Sequence, residues 1–197
     1  MAAHPGVFID PRANGAGSSG PVLFLDRDGV INVDHGYVSA PSATQWVDGI
    51  FDLCRGAIAL GYRLIVVTNQ AGIARGYYTE AQFLEYSHWV HAVFHEQGAD
   101  LLATMYCPHH PTAGLERLRV ICPCRKPAPG MLLEASRRFN VNLALSVLVG
   151  DKPSDLEAGS AAGVGRLYLA SPTGIVDSQV KAWDLAAVLS DMQCKAT

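Results

Sequence analysis

Val22-Leu-Phe-Leu25 runs directly into Asp26-Arg-Asp28-Gly29-Val30, and the junction between the two stretches decides the fold. Four consecutive apolar residues leave no polar face, so they predict a short strand buried on both sides, as inside a parallel sheet. Two carboxylates and a glycine then follow with no spacer. Asp and Gly are ordinary turn formers, which is the bland account of the segment. The chemical account is that carboxylates at i and i+2 on one loop can serve one reacting centre, one attacking and the other moving protons.

Outward from this junction the chain alternates strands and helices. Leu64-Ile-Val-Val67, Leu101 to Tyr106, Val147-Leu-Val149 and Arg166 to Leu169 read as further strands. Asp48 is placed to cap a helix bearing Ile50, Leu53, Cys54, Ala57 and Ile58, with Gly61 ending it. Thr79-x-x-Gln82 and Ser154-x-x-Glu157 read as capping boxes. The first opens a helix with Phe83, Tyr86, Val90 and Phe94 on one side. Pro129 fits the first turn of a helix through Phe139, and a last helix is expected over Lys181 to Ser190. Alternation of this kind implies an α/β fold with a doubly wound parallel sheet. Ligands of such sheets gather at the carboxyl ends of strands, where Asp26, Thr68 and Asp151 all fall.

The 197 residues are enough for one domain with a sizeable core. Residues 1–20, with Pro5, Pro11 and a Gly/Ser/Ala-rich run, read as a flexible leader without the pattern of a secretion signal. Residues 21–197 read as a single domain. A net charge of -3 provides no basic field for nucleic acid. No apolar stretch reaches the length of a membrane helix. The expected compartment is the cytoplasm and the expected state a monomer.

Several residues beyond the first loop carry chemistry. Thr68-Asn69-Gln70 brings a hydroxyl and main-chain N–H groups to the second strand's end. Lys126, between Arg125 and Pro127, offers an ammonium to charge developing on a transferring group. Gly150-Asp151-Lys152, with Asp155, adds carboxylates suited to a hard cation. Each alone has a structural explanation, but their order and their places at strand ends favour a common site. Cys107-Pro-His109 and Cys122-Pro-Cys124 are two tight chelating pairs. Three thiolates and one imidazole suit a tetrahedral structural zinc, with His110 a competing ligand. An odd count of five cysteines without an export signal favours a metal over a disulfide framework. Cys54 and Cys194 read as core or incidental. His88, His91 and His95 read as a solvated helix face.

Asp-x-Asp-Gly, then Thr, then Lys, then Gly-Asp-x-x-x-Asp resembles the four motifs of haloacid dehalogenase phosphatases. More narrowly, Phe24 to Tyr37, Val67-Thr-Asn-Gln70 with Gly72-Ile-Ala-Arg-Gly76, Cys107-Pro-His-His-Pro111, Cys124-Arg-Lys-Pro127 and Gly150-Asp-Lys152 are similar to the heptose bisphosphate phosphatase family. Val30, where Thr is common, and Pro153 depart from the pattern without removing a reacting group. The resemblance implies a capless haloacid dehalogenase-like domain with a zinc-binding loop. It implies a Mg²⁺-dependent phosphatase acting on the 7-phosphate of a small sugar bisphosphate in nucleotide-activated heptose biosynthesis.

Carried onto this sequence, it makes Asp26 the nucleophile and Asp28 the acid–base residue, with Thr68 and Lys126 steadying the phosphoryl group. Asp26, the main-chain carbonyl of Asp28 and Asp151 would hold Mg²⁺. Cys107, His109, Cys122 and Cys124 would hold zinc. Asp34, His35, Gly36, Tyr37, Asn69, Gln70, Ala71, Arg125 and Lys152 would meet the rest of the substrate, and Asp155 would give support from behind. A histidinol-phosphate phosphatase is the nearest alternative enzyme. An inactive zinc-stabilised binding module is the alternative from another class.

Overall fold

The computed structural model describes residues 4–12, 19–170 and 184–194. Its strands are β1 (Gly6–Ile9), β2 (Val22–Leu25), β3 (Arg63–Asn69), β4 (Leu101–Cys107), β5 (Val147–Gly150) and β6 (Arg166–Leu169). Its helices are α1 (Ile50–Ala59), α2 (Ala71–Arg75), α3 (Glu80–Glu96), α4 (Gly130–Phe139), α5 (Pro153–Ala162) and α6 (Leu185–Cys194). The strands form one sheet in the order β1-β4-β3-β2-β5-β6. β2 to β6 pair in parallel, and β1 joins antiparallel to β4.

Side chains alternate across each strand, so β2 feeds two cores. Leu23 and Leu25 pack with α1, α3 and α6 through Leu53, Val90 and Val188. Val22 and Phe24 pack on the other face with Met131, Leu132 and Ala135 of α4 and Ala158 of α5. All four are fully buried. Each such side chain contributes roughly 1.5–3 kcal/mol by leaving water. The sheet is therefore doubly wound, as its alternation predicts, and β2 lies inside it. Asp26 is held at the end of its best-buried strand, its N–H donating to Val149 O of β5 at 3.0 Å.

Between β2 and β5 the described chain contains β3, β4, α1 to α4 and loops, with no inserted cap domain. The Thr79 box forms as expected, with Gln82 N on Thr79 Oγ1 and Thr79 N on Gln82 Oε1.

Four expectations need correction. Gly6–Ile9, assigned to the leader, pairs with Tyr106 to Ala103 and covers the outer edge of β4. An uncovered edge beside so buried a strand would leave its N–H and C=O groups unpaired. The expected cap Asp48 yields to Gly49, whose φ of 81° starts α1. Pro153 begins α5 one residue before Ser154, and Asp155 Oδ2 accepts the Lys152 N–H at 3.0 Å. The box therefore closes on Asp155, and Ser154 and Glu157 lie within the helix. His91, assigned to a solvated face, is buried, its Nε2 2.9 Å from Thr104 Oγ1 and its Nδ1 3.3 Å from Asp10. α3 faces β1 as well as the central sheet, so more of its circumference is covered than a one-sided pattern implies. Of the expected last helix, residues 181–183 lie outside the described residues.

Candidate active site

The ends of β2 and β3 and the first turn of α5 meet at the Lys126 ammonium. Its Nζ lies 2.9 Å from Asp26 Oδ1 and 2.7 Å from Asp155 Oδ1, and donates to Val67 O at 2.7 Å. Burial works against the ammonium, but the Asp26 and Asp155 carboxylates outweigh it and hold its pKa above the usual lysine value. Asn69 fixes its backbone from both sides, Nδ2 donating to Lys126 O at 3.0 Å and Oδ1 accepting Lys126 N at 3.1 Å. Asn69, expected at the substrate, thus has its amide committed to placing the lysine.

Asp151, just after β5, sits behind the same point. Burial, and next the Asp26 charge, push its pKa up to about 7, with Lys152 pulling it back. Its Oδ1 is buried with no hydrogen-bond partner. Oxygens of Asp26, Asp151 and Asp155 all lie within 4.8 Å of one another. Asp155 spends Oδ1 on Lys126 and Oδ2 on Lys152 N. That leaves Asp26 and Asp151 as the carboxylates to meet a cation, and hard cations such as Mg²⁺ take such oxygens. The residues fit the ion. Gly29 makes the close approach possible: with φ at +93°, a Cβ there would lie 2.3 Å from Asp151 Oδ2.

Asp28 is held by three side chains. Arg27 donates from Nη2 to both carboxylate oxygens at 2.9 and 2.8 Å and from Nε at 3.2 Å. Asn32 Nδ2 reaches Oδ1 at 3.1 Å, and Gln70 Nε2 reaches Oδ2 at 3.4 Å. Gln70 also donates to Thr68 Oγ1 at 2.8 Å and accepts from the Tyr78 hydroxyl at 2.6 Å. Burial, before any other influence, pushes the Tyr78 phenol up to about 12.

Of these groups Asp26, Asp28, Thr68, Asn69, Gln70, Tyr78, Lys126 and Asp155 floor a pocket of about 420 Å³. Asp34, Gly36, Tyr37, Ala71, Arg125 and Lys152 stand around it. Lys152 Nζ spans 3.2 Å to Asp34 and 3.3 Å to Asp151. His35 does not join the pocket lining. It turns to Gln45, 3.3 Å from its Oε1.

Arg27, Asn32 and Tyr78 are the three residues of this network that the sequence reading missed. Arg27 shows only as a cation between two aspartates. Tyr78 had a signal: it precedes the Thr79 cap and packs with Phe83, as an N′ to N4 hydrophobic staple does.

A second cluster lies beside the first. Cys107 ends β4, and Cys107, His109, Cys122 and Cys124 place donor atoms within 4.8 Å of one another. His109 Nδ1 faces the sulfurs of Cys107 at 3.7 Å and Cys124 at 4.0 Å. His110 turns away: its Nδ1 accepts from Ala113 N, and its Nε2 pairs with Arg75. The choice between the two imidazoles thus falls to His109. The sulfurs of Cys122 and Cys124 touch, in disulfide pairing, which departs from the expectation of thiols. Three sulfurs and an imidazole on one point nonetheless fit a tetrahedral zinc, whereas a disulfide uses only two of the four.

The HAD-hydrolase-like family model matches residues 123–179. A curated relative from Burkholderia mallei, named D-glycero-alpha-D-manno-heptose-1,7-bisphosphate 7-phosphatase, is 53% identical over 75% of this chain and 78% of its own. One from Yersinia pestis, named for the beta anomer, is 47% identical over 76% and 79%. The solved D,D-heptose 1,7-bisphosphate phosphatase of B. bronchiseptica, complexed with magnesium and phosphate, is 30% identical with a TM-score of 0.74. That match covers 89% of this chain and 99% of the other. Identity near one half over three quarters of the chain exceeds what a shared fold alone requires, and this chain belongs to the D-glycero-D-manno-heptose-1,7-bisphosphate 7-phosphatase family of HAD-superfamily, Mg²⁺-dependent phosphomonoester hydrolases.

Proposed function

We propose that this enzyme hydrolyses the 7-phosphate of D-glycero-D-manno-heptose 1,7-bisphosphate and leaves the 1-phosphate in place. The observation that carries this reading is the distribution of cations. Lys126 is locked on the pocket floor beside Asp26, while Arg125 and Lys152 stand among the other lining residues. The floor serves the reacting phosphoryl group, and the second pair serves a distant phosphate. An arginine fork suits phosphate oxygens.

In this mechanism an Asp26 oxygen attacks phosphorus in line. The bond from phosphorus to the sugar oxygen breaks, and that oxygen takes a proton from Asp28. The product is an aspartyl-phosphate. Asp28 then takes a proton from water, whose oxygen attacks the phosphoryl group and returns Asp26. Such acid–base help is typically worth about 10²–10⁴-fold. Lys126 and the Thr68 hydroxyl meet the charge spread over the phosphoryl oxygens. Asp26, Asp151 and the main-chain carbonyl of Asp28 would hold Mg²⁺, which would neutralise charge there when bound. Cys107, His109, Cys122 and Cys124 would hold a structural zinc, which stiffens the loop immediately before Arg125 and Lys126.

Phosphorus NMR of the product, run on both anomers, tests the regiochemistry. The 7-phosphate resonance should give way to inorganic phosphate while the 1-phosphate persists. A product that keeps the 7-phosphate and loses the 1-phosphate would refute the assignment.

A further inference from the structure

Arg27 is buried almost completely, and nothing in the chemistry above uses it. Its guanidinium lies over the rings of Phe83 and Tyr86 on α3, 5.7 and 5.2 Å from their centroids. Nη1 is buried with no hydrogen-bond partner. The remaining nitrogens do two things. Nε and Nη2 fork onto the Asp28 carboxylate, and Nη2 also donates to Val38 O at 2.6 Å. Val38 directly follows the Asp34 to Tyr37 stretch at the pocket wall.

A buried ion pair is a weak source of stability, because desolvating both charges offsets most of their attraction. This pair also has one end in the pocket, since Asp28 lines it and Arg27 does not. A fork fixes the plane of a carboxylate as well as its place. From these contacts we infer that Arg27 is a positioning residue: clamped on an aromatic bed, it orients the Asp28 carboxylate for proton transfer and ties that orientation to the substrate-facing Asp34 to Tyr37 stretch. The inference rests on Asp28 being the acid–base residue of the proposed function.

Leaving-group dependence tests it. A sugar oxygen needs a proton to depart, whereas p-nitrophenolate does not. Arg27→Met should slow single-turnover cleavage of heptose 1,7-bisphosphate by at least about 10-fold, part of the range for acid–base help. KM should change by less than about 3-fold, since a group that acts in the transition state sets kcat more than binding. The burst of p-nitrophenolate from p-nitrophenyl phosphate should keep its rate, because it reports attack by Asp26 alone. If Arg27→Met fails to fold, Arg27→Lys carries the test. It keeps the buried charge and loses the fork. Equal slowing of both reactions, or of neither, would overturn the inference. Asp28→Asn serves as the reference. If it produces the split and the Arg27 variants do not, only the positioning role fails. If Asp28→Asn produces no split, the acid–base assignment itself fails.

Discussion

At the scale of single residues, the site is a buried charge balance centred on Lys126. One ammonium faces Asp26 and Asp155, with Asp151 close behind. Removing it leaves carboxylates desolvated and mutually repelling. Breaking a buried pair from one side typically costs about 3–5 kcal/mol. Lys126→Met should therefore lower stability by about that amount in metal-free protein, read from urea unfolding, and should abolish turnover. An unchanged unfolding midpoint would mean the carboxylates are not held as described. Arg27 shows the limit of residue-by-residue reading. Its chemistry depends on Val38, eleven residues on, and on Phe83 and Tyr86, which are remote in sequence and adjacent only once α3 packs.

At the scale of elements, strand β2 and the Thr79 cap were legible because their signals are local. A continuous apolar run and a four-residue box need no knowledge of the rest of the fold. Strand β1 was not legible. It is four residues long and begins with glycine, and the adjoining Pro- and Gly-rich composition obscured it. What makes it a strand is the edge of β4, a tertiary partner. Docking β1 also buries Asp10 against His91.

That contact gives the protein an acid-sensitive joint. Burial lowers the His91 pKa from 6.5 to about 4, although Asp10 pulls the other way. The unfolded chain therefore binds this proton more readily than the folded one. Stability should be fully present above about pH 6.5 and fall as the pH drops toward 4, by on the order of 2–3 kcal/mol. The Asp10 carboxyl, held at about 2 chiefly by Arg12, loses its contribution only below the usual carboxylate range. Unfolding curves of wild type and His91→Gln between pH 7 and 4.5 separate the two effects. A wild-type curve as flat as the variant's would contradict the buried neutral imidazole.

The cysteine loop is the other element whose role can be measured alone. Freshly prepared, reduced protein should contain one zinc per chain. Chelation should increase hydrogen exchange around Cys107 to Cys124 while the sheet, with its own two cores, stays protected. Reduced protein that contains no zinc would contradict the zinc site.

At the scale of the molecule, the parallel sheet does one thing for function. It brings β2, β3 and β5 to a common edge, so that Asp26, Thr68 and Asp151 converge although far apart in sequence. The convergence was legible because each follows a buried strand, and strand order limits where such ends can meet. The hydrogen-bond assignments within the site were not. Asn69 lines the pocket but its amide also holds the Lys126 backbone, and His35 leaves the pocket for Gln45. Motif spacing places a residue near a site, but only packing decides where its side chain is spent.

The central claim is covalent chemistry at Asp26. Rapid acid quenching during a single turnover, followed by peptide mass spectrometry, tests it most directly. A phosphoryl group should appear on Asp26 and disappear at rates that account for turnover, and Asp26→Asn should lose activity by roughly 10⁴-fold or more while staying folded. Phosphate release at the normal rate with Asp26 never phosphorylated, or by a folded Asp26→Asn protein, would contradict the account.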